Sequence, residues 1–178
     1  MKYNTNSQKL FIKECLFISL MNLMKKKSIY DITITELTKK AGVSRMAYYR
    51  NYDNILDIIT DFLDRTTLGV NKENSTKLMY LPDTLHNVFT YFSENKLLIN
   101  NLINANMTDL ILNAIEKHFK TTFYLLLFSY GFQHEYEVSA LVGIFYKILI
   151  DWSKKGMIES TEEMTSISFA IISKFENY

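Results

Sequence analysis

The chain has 178 residues, 48% of them hydrophobic, enough for one or two small domains with real cores. Five glycines and one proline are too few for a loop-rich or all-β protein, and a single cysteine excludes an internal disulfide and a cysteine-based metal site. The net charge of +1 hides an asymmetry: residues 1–60 carry ten Lys/Arg against five Asp/Glu, whereas residues 61–178 carry ten against fourteen.

A basic first third suits a polyanionic partner, because neutralising phosphates releases counterions. The segment from Met1 to Lys9 is polar and lacks the apolar core of a signal peptide. Tyr124 to Phe128 is apolar but far too short for a membrane span. A cytoplasmic protein without membrane contact is the expectation.

In chain order, residues 9–27 read as a helix, with Ile12, Leu16, Leu20 and Leu23 on one stripe. Phe11, Phe17, Ile18, Met21 and Met24 widen the apolar surface, so cover on more than one side is expected. Lys25, Lys26 and Lys27 close the helix, where cations offset the macrodipole. Thr33-Ile34-Thr35-Glu36 is a capping-box pattern opening a short helix, with Ile32 and Leu37 placed as a hydrophobic staple. Gly42 stops that helix and Ser44 caps the next, which runs to about Asn51 and carries Arg45, Tyr48, Tyr49, Arg50 and, just beyond it, Tyr52. Asn54 and Asp57 open a fourth helix, 54–68, with Ile55, Ile58, Ile59, Phe62 and Leu63 apolar. Further helices are expected at about 82–94, 96–104, 107–128, 135–155 and 160–177, the last opened by a second capping box at Ser160-Thr161-Glu162-Glu163. The fold class is therefore all-α with about nine helices. A three-helix DNA-binding domain at 1–53 is joined through helix 54–68 to a regulatory and dimerisation domain spanning 54–178.

Two short helices about a glycine turn form a helix-turn-helix unit, whose second helix enters the major groove of DNA. The run from Thr33 through Ala41-Gly42-Val43-Ser44 to Tyr52 resembles the signature of the TetR/AcrR family of transcriptional regulators. Phe92-Ser93-Glu94-Asn95-Lys96, Ile103-Asn104-Ala105-Asn106-Met107 and the run from Trp152 to Met164 are similar to a C-terminal domain common among such regulators of low-GC Gram-positive bacteria. The resemblance implies a homodimer on a palindromic double-stranded operator, acting as a repressor released by a small hydrophobic or aromatic effector. A co-regulator whose C-terminal domain binds a partner protein is the alternative.

Carried over residue by residue, the resemblance makes Thr33, Ser44, Arg45, Met46, Ala47, Tyr49, Arg50 and Asn51 the DNA-binding set. Arg45 has donors for a guanine edge or a phosphate, while Met46 and Ala47 offer apolar contact to a thymine methyl. Tyr49 matches a phosphate-contacting tyrosine, and Tyr48 and Tyr52 match buried aromatic positions. The family usually has a lysine near the start of the fourth helix; Ile55 stands there instead. Backbone N–H groups of that helix, or Lys39 and Lys40, are the candidate substitutes.

In the C-terminal half, Phe89, Phe92, Phe123, Tyr124, Phe128, Phe145 and Tyr146 recur at helical spacing and are the candidate effector-pocket set; a plain core is the competing reading. Ile144, Ile148, Trp152, Met164, Ile167 and Ile171 are the candidate dimer interface on the last two helices. His86, His118 and His134 are scattered without metal spacing, no nucleophile motif or phosphate loop occurs, and neither a cofactor nor an enzymatic activity is expected.

Overall fold

The computed structural model describes residues 5–66, 80–118 and 134–174, and every regular element among them is helical. The α-helices are α1 (Thr5–Met24), α2 (Ile34–Ala41), α3 (Arg45–Tyr49), α4 (Leu56–Thr66), α5 (Leu81–Glu94), α6 (Lys96–Asn104), α7 (Asp109–His118), α8 (Glu135–Lys154) and α9 (Thr161–Ile172). The remainder of the expected helix 107–128, past His118, lies outside the described residues, as does Gly131. Two compact units divide the chain, Met1–Arg65 and Thr66–Tyr178.

In the first unit, the α1 stripe packs as its spacing predicts, with Leu16 and Leu20 fully buried and Leu23 nearly so. Phe17 and Met21 join that core. Phe11 and Ile18 do not: they are 68% and 51% exposed, so cover on a second side reaches only part of the helix. The lysine run falls just past the last turn of α1, in a turn whose Lys26 and Lys27 N–H groups donate to the Leu23 carbonyl.

Thr33 caps α2, its hydroxyl accepting from Glu36 N–H at 3.2 Å. The capping box is only half made, because Glu36 turns its carboxylate to Lys27 instead of the Thr33 backbone. Gly42 ends α2 at φ 67°, a left-handed conformation that a residue with a Cβ adopts only under strain. There its N–H donates to Lys39 and that of Val43 to Thr38, satisfying the last carbonyls of the helix.

By its contacts α4 is the fourth helix of this unit. Phe62 stacks on Phe17 of α1 with ring centroids 3.6 Å apart. Beside Phe62 in the chain, the Asp61 carboxylate pairs with Lys13 of α1 and with Arg65, and accepts from the Tyr52 hydroxyl at 2.9 Å. Burial alone would raise the Asp61 carboxyl; hydrogen bonds from Lys13, Arg65 and Tyr52 outweigh it and hold the group below the usual carboxylate range.

In the second unit α9 packs on α5, while α6 and α7 pack on α8. The Phe89 ring meets Phe145 edge-on at 5.4 Å and Trp152 at 5.5 Å, joining α5 to α8. Trp152 Nε1 donates to the Glu159 carbonyl at 3.1 Å, which fixes the α8–α9 turn. Gly156 in that turn has φ 87°. The second capping box forms fully: Ser160 Oγ accepts from Glu163 N–H, and the Glu163 carboxylate accepts from Ser160 N–H.

Asp61→Asn is expected to destabilise the first unit by about 1–3 kcal/mol at neutral pH. A carboxyl held low in the folded state stabilises fully above its unfolded value of about 4, and that contribution fades as pH falls through the folded value. Denaturation followed by far-UV circular dichroism should show a wild-type advantage at pH 7 that shrinks in acid. A constant gap would mean that the carboxylate charge is not what matters.

Candidate nucleic-acid interface

The helix α3 is five residues long, too short to hold itself, and its neighbours define it. Ser44 caps it, accepting from Ala47 N–H at 3.0 Å. Tyr48 is fully buried beneath it and Tyr52 nearly so, in accord with their matching to buried aromatic positions. The Tyr48 hydroxyl has no hydrogen-bond partner among the described residues, and burial, followed by the charges of Asp57, Tyr49 and Asp53, pushes it up to about 12. Tyr52 is raised too, first by burial and then by its bond to Asp61.

With those two rings turned inward, the opposite side of α3 presents Arg45, Met46, Tyr49 and Arg50 to solvent. Met46 is 62% and Tyr49 48% exposed, large values for apolar side chains on a helix without a surface role in folding. The Arg45 guanidinium lies 6.0 Å from the Tyr49 ring centroid and within 3.5 Å of its hydroxyl. Neither Arg45 nor Arg50 meets a carboxylate among the described residues. Ala47 and Asn51 are half-buried, and the Asn51 amide donates to the Ala47 carbonyl at 2.7 Å, closing the end of the helix. Thr33 and Ser44 are exposed, each with its hydroxyl engaged as a cap. Lys39 and Lys40 are exposed in the last turn of α2.

The start of α4 is closed on itself. Asp57 accepts from the backbone of Asp53 at 3.0 Å and of Asn54 at 2.9 Å, and its own N–H donates to Asn54 Oδ1 at 3.1 Å. The N–H groups of Asp53, Asn54 and Asp57 at this helix start are thus already bonded, and the Asp57 carboxylate stands where a phosphate would approach. A hollow of about 500 Å³ runs from Tyr49 and Arg50 to Asp53, Asp57, Asp61 and Asp64, so the cationic surface ends sharply at α4. Sequence reading treats Asp57 only as a helix start; its second role needs the fold of the 53–57 turn.

In the second unit the candidate effector aromatics divide. Phe89, Phe92 and Phe145 are at most 3% exposed and belong to the packed core, while Tyr146 is half-buried. Phe123, Tyr124 and Phe128 lie outside the described residues. A separate cleft of about 560 Å³ opens between α7 and α8, lined by the apolar Leu112, Val138 and Val142 and by Glu116 and Glu135. Of the candidate dimer residues, Trp152 and Met164 face the interior at 3% and 6% exposure, since Trp152 is engaged by Phe89 and Glu159. Ile144, Ile148 and Ile171 are half-buried and Ile167 is 46% exposed. Among the described residues no group of three His, Cys, Asp or Glu side chains could hold a metal ion, and no helix is long and apolar enough to cross a membrane.

The family model for a TetR-type transcriptional regulator C-terminal region matches residues 81–174, more than half of the chain and all of α5 to α9. The chain belongs to the TetR family of transcriptional regulators. No curated protein matches it in sequence.

Ser44→Ala should destabilise the first unit by roughly 0.5–2 kcal/mol, the usual worth of an N-cap. Since the hydroxyl serves α3 alone, the second unit should be unaffected. Hydrogen exchange of the α3 amides would show the change, and unaltered protection there would mean that the cap contributes nothing.

Proposed function

We propose that the protein is a DNA-binding repressor that grips a palindromic operator as a homodimer and is released by a small hydrophobic or aromatic effector. The observation that carries the reading is the exposed face of α3: two arginines without carboxylate partners, a tyrosine and a methionine, held outward by two buried tyrosines. In a helix-turn-helix this is the side that enters the major groove. In this reading Arg45 serves base readout, Met46 and Ala47 thymine methyl contact, Arg50 and Asn51 phosphate or base-edge contact, and Tyr49, Thr33 and Ser44 the backbone.

The homodimer reading rests on α8 and α9, where Ile144, Ile148, Ile167 and Ile171 remain at least partly exposed. Helices from two copies related by a two-fold axis would bury these side chains in a four-helix interface. The α7–α8 cleft has the size and apolar lining of a small-molecule site. Close packing of Phe89, Phe92 and Phe145 supports the second reading, in which this unit meets a partner protein.

Selection of bound duplexes from a random pool tests the function directly, and failure to enrich any motif would end the operator reading. Arg45→Ala is expected to weaken binding by ~1–3 kcal/mol and to relax preference at one position of each half-site. Uniform weakening across sequences would reassign Arg45 to the phosphates. For the dimer, Ile167→Glu should shift light scattering at micromolar concentration from dimer to monomer, whereas a monomeric wild type would refute the interface.

A further inference from the structure

The closed start of α4 raises the question of where the DNA backbone is held on the flank of α3. Phosphate contacts fix the register of a helix-turn-helix on the duplex, so a recognition helix alone is insufficient. At α4 the carboxylates of Asp53 and Asp57 repel phosphate, and Ile55 brings no charge.

The turn between α1 and α2 has the opposite character. It lies against the amino-terminal turn of α2, because Lys27 Nζ pairs with Glu36 and also donates to the Asp31 carbonyl at 3.0 Å. In a helix-turn-helix the first helix, here α2, crosses the DNA backbone. With Lys27 engaged, Lys25 and Lys26 are exposed and meet no carboxylate among the described residues. Between them and Thr33 stands Tyr30, 77% exposed in a one-turn 3-10 helix whose Tyr30 N–H is held by Ser28 Oγ at 3.3 Å. The flanking Ile29 and Ile32 are buried, so the turn is anchored while its tyrosine is held out.

We propose that this turn is a second DNA-backbone site, at which Lys25 and Lys26 neutralise phosphates beside α2 and the Tyr30 hydroxyl donates to a phosphate oxygen. The proposal rests on the operator reading and relocates the family's backbone grip from α4 to the α1–α2 turn. Its rival is that the lysines only offset the carboxyl-terminal dipole of α1.

The test uses the full chain and a duplex enriched by it, with affinity measured across a range of KCl concentrations. Each phosphate neutralised contributes about 0.9 to the slope of log affinity against log salt, so K25Q/K26Q, which removes two lysines from each protomer of the dimer, should flatten that slope by about 3.6. Tyr30→Phe should weaken binding by roughly two- to tenfold for all sequences alike and leave the slope unchanged. A wild-type slope in K25Q/K26Q, with only its thermal midpoint lowered, assigns the lysines to the helix end and overturns the proposal. Wild-type affinity in Tyr30→Phe removes the tyrosine from it. Operator binding stands in both cases, since it fails separately, if the wild-type chain enriches no duplex motif.

Discussion

Three donors from three parts of the first unit converge on the Asp61 carboxylate: Lys13 from α1, Tyr52 from the segment after α3, and Arg65 one turn further along α4. The Phe17–Phe62 stack lies beside them. A helix of five residues has no stability of its own, so the outward direction of Arg45 and Tyr49 is inherited from Tyr48 and Tyr52 beneath them. Tyr52 is in turn oriented by Asp61. The outward face of α3 therefore depends on a carboxylate of α4.

Much of this was legible in the sequence, for local reasons. Ser44, Thr33 and the Ser160–Glu163 box act through backbone groups two or three residues away, so their spacing suffices to identify them. Gly42 is legible because the left-handed stop of α2 is itself a local event. Family likeness puts Tyr48 and Tyr52 inside, and in the fold both are buried. What spacing could not supply is competition from outside the local window. Glu36 has the right position to complete its capping box, yet Lys27, nine residues earlier, takes its carboxylate. Asp57 fits a helix start, but only the folded turn shows its carboxylate accepting from the Asp53 and Asn54 N–H groups.

The second unit shows the same limit in a different form. Helical spacing identifies which aromatic and aliphatic side chains lie on one face but not what covers that face. Phe89, Phe92 and Phe145 are pocket candidates by their spacing, and in the fold all three are buried, the Phe89 ring meeting those of Phe145 and Trp152. The same period puts Trp152 and Met164 on a candidate surface between copies, and in the fold both are buried within the subunit. Ile167 and Ile148, at neighbouring positions of the same helices, keep solvent contact. A two-sided apolar helix offers two solutions, and the choice is made by the partner helix.

The burial of Trp152 has an optical consequence. It is the chain's one tryptophan, set among aromatic rings with its indole N–H held by the Glu159 carbonyl. An indole shielded from water emits at shorter wavelength, and every such photon from this protein originates in the regulatory unit. The first unit, rich in tyrosine, is silent at tryptophan excitation. Nature has in effect labelled one of the two units, so that loosening around α5 and α8 can be watched in the unmodified protein while the helices of the first unit contribute no background.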